Sequence, residues 1–319
     1  MKKILIIQTA FIGDVILATA VAEKLHLCFP ETEIDFVLRK GNESLLANHP
    51  FINQVFVWNK SEGKITGLIK IIKTLRKQQY DLCINLQRFF TSGFMAALSG
   101  SKEIRGFDKN PLSFLYTKNY PHQIGNGKHE TERNHLLIED LTDSKTAMPK
   151  LYPTKDDFNL VEDYKKQKYV CMAPASVWFT KQLHYTKWIE LIKKTNDLKI
   201  YLLGAPSDAT LCENIKQQCA GKDIEILCGK LSFLQSAALT KDAQMNYVND
   251  SAPMHLASSV NAPVTAFFCS TIPEFGFGPL SANSTIIQTK ENLACRPCGL
   301  HGYRQCPLGH FKCARDIEV

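Results

Sequence analysis

Short apolar runs alternate with amphipathic stretches along the whole chain. Residues 3–8 (KILIIQ) form an Ile-rich run, the pattern of a strand buried on both faces. A loop with Gly13 follows. Val15, Ile16, Leu17, Val21 and Leu25 then recur at helical spacing up to Pro30, and Ile34–Leu38 reads as a second strand. Strand, helix and strand in that order make a βαβ unit, which implies a parallel sheet and a right-handed crossover.

The alternation continues. The pattern predicts a short helix at 45–48 and strands at 54–58, 81–86 and 104–107, with helices at 65–78, 91–99 and 132–141. Residues 118–131 read as a polar loop. Residues 143–168, with Pro149, Pro153 and the charged stretch from Lys155 to Lys168, read as a boundary between domains. A second series follows, with strands at 169–173, 199–203, 224–227, 243–248 and 264–268. Its helices fall at 186–195, 208–220 and 233–239, with another starting at Ala252. Two successive parallel α/β halves are expected.

Composition narrows the class. A chain of 319 residues, 45% hydrophobic and 22% charged, is neither disordered, collagen-like nor a coiled coil. Its length suits two domains of roughly 100–200 residues each. The net charge of +7 fits an anionic ligand or an anionic membrane surface, and is too weak to argue for nucleic acid alone. No apolar run reaches the ~18 residues of a membrane span. Lys2-Lys3, the ILII run and Ala18-Thr19-Ala20 imitate a signal peptide, but Gln8 and Asp14 interrupt its apolar core, so no cleaved leader is expected.

Ligands of open parallel sheets bind beyond the carboxyl ends of the strands, so the loops there are the candidates. In the first, 8–14, Gly13 allows close backbone approach. Asp14 reads either as a charge favoured at a helix N-terminus or as a general base. In the second, 173–182, the hydroxyls of Ser176 and Thr180 and the cation of Lys181 could hold a diphosphate, or belong to an ordinary solvated loop. In the third, Asp208 suits a ribose hydroxyl or, with Ser207, a helix cap. In the fourth, 248–255, Asp250 and Ser251 precede a helix start at Ala252, and Pro253 in its first turn leaves N–H groups for an anion; His255 faces the ligand or packs. Gln87 and Arg88 follow the strand DLCINL and could meet an anionic acceptor or simply solvent.

Several segments together resemble the bacterial glycosyltransferase family (family 9) that contains the ADP-heptose:lipopolysaccharide heptosyltransferases. They are KILIIQTAFIGDVILATAV at the start, NHPFINQVF at 48–56, KHETERNHLLIEDL at 128–141, APASVWFTKQLHYTKWIELI at 173–192 and NDSAPMHLASSVNAPVTAFF at 249–268. The last, CRPCGLHGYRQCPLGHFKC at 295–313, looks most like the heptosyltransferase II branch. The resemblance implies an α/β GT-B fold, two Rossmann-like domains facing across a cleft. Residues 1–155 would hold the acceptor, and residues 156–319, including the Cys-rich tail, the nucleotide-sugar donor.

It also implies an inverting transfer of heptose from ADP-heptose to the lipopolysaccharide inner core without a metal, in keeping with the lack of a D-x-D triplet. Asp14 would be the base. Ser176, Thr180 and Lys181 would hold the diphosphate. Asp250, Ser251, Ala252 and His255 would line the donor pocket, with Asp208 on the ribose. Gly13, Gln87 and Arg88 would face the acceptor, a lipid-linked anionic glycan at the inner face of the cytoplasmic membrane. The enzyme would be cytoplasmic and peripheral to that membrane, with no nucleic-acid partner. Ala175 and Ala252 stand where relatives often have Gly, and Leu183-His184 where many have Trp-Pro. These departures leave another nucleotide sugar or acceptor open.

The 11 cysteines divide in two. Cys28, Cys83, Cys171, Cys212, Cys219, Cys228 and Cys269 read as interior packing in a reduced compartment. Cys295, Cys298, Cys306 and Cys313 are spaced C-x₂-C-x₇-C-x₆-C. A structural zinc site, a reduced or disulfide-linked structural tail (the favoured reading) and acceptor contact compete there. No cofactor is expected. A non-catalytic zinc-ribbon protein that binds nucleic acid through the basic tail residues Arg296, Arg304, Lys312 and Arg315 is the alternative from another class.

Overall fold

In the computed structural model, which describes residues 1–319 apart from the side chains of residues 62 and 64, the chain divides into Met1–Tyr152 and Pro153–Val319. The first unit begins with β1 (Lys3–Ile7), α1 (Ile12–Cys28), β2 (Glu33–Arg39) and β3 (Ile52–Trp58). It continues with α2 (Lys64–Arg76), β4 (Leu82–Asn85), α3 (Phe90–Leu98), β5 (Glu103–Phe107), β6 (Lys118–Tyr120) and α4 (Glu130–His135). Its sheet is wholly parallel, in the order β3-β2-β1-β4-β5-β6.

β1 lies at the centre because Ile4 to Ile7 have no exposed face. α1 is predominantly apolar and has no polar face. Burial of all residues from Val15 to Leu25 follows, with a second layer of chain over its outer face. Its two mid-helix charges are paired by that layer: Tyr152 donates to Glu23 at 2.8 Å, and Lys24 meets Asp143 at 2.6 Å.

The second unit opens with α5 (Lys155–Val161), β7 (Tyr169–Ala173), α6 (Tyr185–Lys194), β8 (Lys199–Leu202) and α7 (Ala209–Gln217). β9 (Ile224–Ile226), α8 (Phe233–Asp242), β10 (Asn246–Asn249), α9 (Ala252–Ser259), β11 (Val264–Phe268), β12 (Ser284–Gln288) and α10 (Lys312–Arg315) complete it. Its parallel sheet runs β12-β11-β10-β7-β8-β9. Each unit therefore reverses direction beside its first strand, between β1 and β4 and between β7 and β10. That point is where a doubly wound sheet leaves a crevice for ligands.

Trp188 of α6 packs edge-on against Phe267 of β11 at 5.4 Å, inside a core that also takes Phe311, Cys313, Ala314 and Ile317 from the end of the chain. The Cys-rich tail is thus built into the second unit.

Four elements differ from the sequence expectation. β6 lies in the stretch read as a loop, and β12 where no strand is expected; both are edge strands, largely exposed, and carry no apolar pattern. α5 lies in the stretch read as a boundary, started by a capping box in which Thr154 and Asp157 satisfy each other's backbone N–H. The helix expected at 132–141 is α4, shorter and earlier, followed by turns. Cys28 corrects the reading of seven interior cysteines: it is exposed at the end of α1, and Cys228 is half-buried.

One buried group gives a pH test of stability. His49 packs edge-on to Phe51 at 4.5 Å and Tyr152 at 4.7 Å, and Glu23 Oε1 lies 3.9 Å from its Nε2. Burial, helped by the nearby His26, pushes its pKa down to about 4. The folded state holds the neutral form while the unfolded chain protonates near pH 6.5. Its contribution is therefore complete above pH 6.5 and is lost as pH falls towards 4, by up to about 3 kcal/mol. His49→Phe should unfold in denaturant with a flatter pH dependence between 7.5 and 4.5. Equal slopes for the two proteins would refute this.

Candidate functional site

At the switch point of the first unit, the loop after β1 meets the loop after β4. Thr9 donates to Gln87 Oε1 at 2.8 Å, and both are buried. Gln87 therefore ties two loops together, a use the sequence does not show. Gly13 lies in the first turn of α1, and Asp14 Oδ2 accepts the backbone N–H of Phe11 at 3.2 Å. Asp14 thus sits in the first turn of α1, and this bond holds its carboxylate at the carboxyl edge of the sheet.

Arg88 follows at the end of β4, half-buried, with its guanidinium 5.8 Å from the ring of Phe89. α4 packs against α1 and brings in two residues the sequence reading did not single out. Arg133 donates from Nε and Nη2 to Glu130 Oε2, both at 2.7 Å, and both side chains are buried. Burial and the charge of Asp14 raise the Glu130 pKa to about 7, against the opposing pull of Arg133 and Arg88. His122 sits beside the same arginines. Burial, then those charges, hold it down at about 4.

At the switch point of the second unit, β7 lies beside β10 and their loops interlock. Asn249, fully buried at the end of β10, accepts the N–H of Leu183 at 2.8 Å. Its amide donates to the carbonyls of Ala173, Pro174 and Ala175 at 2.9 to 3.3 Å. That side chain sets the path of the Ser176–Lys181 loop. Asp250 follows it and pairs with Lys181 Nζ at 2.7 Å, while Thr271 donates to the same carboxylate at 2.5 Å. Ser176, half-buried, lies on the same loop, and its carbonyl accepts from Gln182.

α9 starts at Ala252 behind an extended Ser251, with Pro253 in its first turn, so its first N–H groups face the same edge as Lys181. His255 is buried one turn in. Asp208 caps the turn at Ala205, accepting its N–H at 2.7 Å, which is the capping role weighed for it.

Thr180 is engaged by the tail. Tyr303 N–H donates to its hydroxyl at 2.7 Å, and its own N–H donates to the Tyr303 carbonyl at 3.1 Å. Gly302 permits that approach: it has φ +74°, and a Cβ there would lie 2.7 Å from Thr180 Oγ1. Arg296 completes the clasp, donating to the carbonyls of Cys269 and Thr271 at 2.7 Å and to Phe268 at 3.2 Å. Asn249, at the end of a buried strand, and Arg296, inside the C-x₂-C segment, each carry a local sequence signal, whereas Thr271 carries none.

All eleven cysteines are free thiols. Cys298 donates to the Cys295 carbonyl at 3.3 Å, and burial lifts the Cys313 thiol to about 12. Among the described residues no group of three or more His, Cys, Asp or Glu side chains is placed to hold a metal ion. No helix among them is long and apolar enough to cross a membrane.

Residues 68–304 match the model of glycosyltransferase family 9 (heptosyltransferase). The chain is 27% identical over 283 residues to lipopolysaccharide heptosyltransferase 3 of Escherichia coli K12, covering 81% of this chain and 80% of that one. In three dimensions it is similar to a family 9 glycosyltransferase of Veillonella parvula, with a TM-score of 0.82 at 20% identity, covering 90% of this chain and 86% of the other. It is also similar to the ADP-heptose LPS heptosyltransferase II of E. coli, with a TM-score of 0.79 at 20% identity and coverage of 95% and 92%.

Proposed function

The chain belongs to glycosyltransferase family 9, the heptosyltransferases, and from that premise we propose that it is a GT-B enzyme transferring heptose from ADP-heptose to the lipopolysaccharide inner core. The observation that carries the donor assignment is the Lys181–Asp250–Thr271 cluster at the switch point of the second unit. A cation beside the N-terminus of α9 is what a leaving diphosphate needs as it gains charge. The names of the relatives, which pair heptose with lipopolysaccharide and in one case with ADP, support the same sugar and acceptor.

Transfer with inversion requires one attack on the anomeric carbon and one base for the acceptor hydroxyl. Asp14 takes that role, Ser176 and Lys181 hold the diphosphate, and Asp250 orients Lys181 until donor arrives. Ser251, Ala252 and His255 border the donor, and Asp208 reaches the ribose from the next loop. Gly13, Gln87 and Arg88 face the acceptor, with Arg88 meeting its anionic groups. The surplus of positive charge suits an enzyme working peripherally at the inner face of the cytoplasmic membrane. No cofactor and no nucleic acid enter this reading; Arg296, Gly302 and Tyr303 of the tail clasp the donor loops, while Cys306 and Cys313 pack with the core of the second unit.

Thermal shift with nucleotide diphosphates tests the donor class. ADP should raise the melting temperature, while UDP and GDP at the same concentration should not. Stabilisation by UDP alone would replace ADP-heptose by a uridine-linked sugar.

A further inference from the structure

Two thiols of the second unit stand in contact. Cys212 lies on α7, one turn beyond Asp208, and is fully buried in the core of that unit. Cys228 follows β9 and is half-buried. Their sulfurs are 3.4 Å apart. A disulfide holds its sulfurs ~2.05 Å apart, so a shift of about 1.4 Å would join them.

The chain around Cys228 is tied to the turn that carries Asp208. Leu227 N–H donates to the Leu202 carbonyl and Gly229 N–H to the Gly204 carbonyl, both at 2.9 Å. A Cβ on Gly204 would lie 3.2 Å from Cys228 Sγ and 2.9 Å from Asp208, and one on Gly229 would lie 2.6 Å from Pro206. Residues 204–208 therefore pack on residues 228–229 without slack, and movement of the Cys228 sulfur is passed to the turn. The two thiols are also unequal. The hydrogen bond between them holds the Cys228 thiol below its ordinary range and the Cys212 thiol above it. The thiol that solvent reaches is the one that ionises first, which is the arrangement of an attacking and a resolving cysteine.

We propose that Cys212 and Cys228 form a redox modification site, joined as a disulfide by a low-molecular-weight disulfide of the glutathione class, and that joining them displaces the Asp208 turn and weakens nucleotide binding. The second part rests on the reading of Asp208 as a ribose contact. The Cys228 thiolate attacks one sulfur of the small disulfide and releases one glutathione thiolate. The Cys212 thiol gives up its proton and attacks the Cys228 sulfur of the mixed disulfide, releasing the second glutathione. Two protein thiols are oxidised by two electrons, one small disulfide is reduced, and both protons end on the released glutathione thiols.

The full chain, incubated with excess glutathione disulfide and mapped by non-reducing proteolysis and mass spectrometry, should yield a linked Cys212–Cys228 peptide. Recovery of both residues as separately alkylated thiols, or of Cys228 as a stable mixed disulfide, overturns the proposal. Calorimetric ADP affinity should fall on oxidation by roughly three- to tenfold, the value of one hydrogen bond, and return with dithiothreitol. Cys228→Ser should bind ADP as the reduced wild type does, before and after oxidation. A loss that persists in Cys228→Ser belongs to another thiol and overturns the proposal, as does a linked wild type with unchanged affinity. Should Cys228→Ser not fold, Cys212→Ala serves with the same expectations. Asp208→Ala in the reduced protein tests the ribose reading by itself: unchanged ADP affinity there removes that contact, while the linked peptide still decides the thiol pair.

Discussion

Replacing Asp14 by Asn is expected to cut turnover by roughly 10²–10⁴-fold while ADP affinity stays near its native value. The substitution is conservative for the fold. Asp14 accepts the Phe11 N–H through one oxygen, and the Asn carbonyl oxygen can accept the same bond, so α1 keeps its cap. What Asn cannot do is accept a proton from the sugar hydroxyl. Steady-state kinetics with ADP-heptose, and calorimetry with ADP alone, separate the two functions. Wild-type turnover in the variant would take Asp14 out of the mechanism.

The second large effect belongs to Lys181. Its ammonium sits 2.7 Å from Asp250, and the two side chains are 16% and 6% exposed. Lys181→Ala removes the cation meant for the diphosphate and leaves Asp250 buried with only the Thr271 hydroxyl. ADP affinity should fall roughly 10- to 100-fold, the range of a charge-assisted contact, and stability should drop by about 1–3 kcal/mol. The double variant Lys181→Ala/Asp250→Asn divides these effects. It should recover stability, because the stranded charge is gone, without recovering affinity. Calorimetric ADP affinity unchanged in Lys181→Ala would count against the diphosphate role.

Both predictions start from residues legible in the sequence, but their arguments depend on partners that were not. Asp14 stands out as an acid in the first turn of a helix that follows a buried strand, and Lys181 as a cation in the loop after another. Thr180 stood out as a hydroxyl in the Lys181 loop, and in the structure the Tyr303 N–H donates to that hydroxyl. Glu130 lies within a segment that marks the family resemblance, but nothing in KHETERNHLLIEDL says which of its four acids turns inward. Asp208 caps its own turn, as one of its two readings held.

The sequence by itself determined the two parallel α/β halves. Continuous apolar runs such as KILII and VTAFF satisfy their surroundings only as strands covered on both faces, and the intervening amphipathic helices supply the cover. It also placed the ligand loops, since those lie where strands hand over to helices. The edge elements β6 and β12 escaped it because exposed strands need no apolar pattern. Only the tertiary structure decided which loops meet. The Lys181 loop follows β7 and Asp250 follows β10, strands made neighbours by the sheet order, with Asn249 bridging them. The packing of α4, which carries the buried Glu130–Arg133 pair, against α1 is likewise a long-range pairing. Such pairings are set by long-range packing of whole layers, whereas a local pattern reports only which face of a segment is apolar.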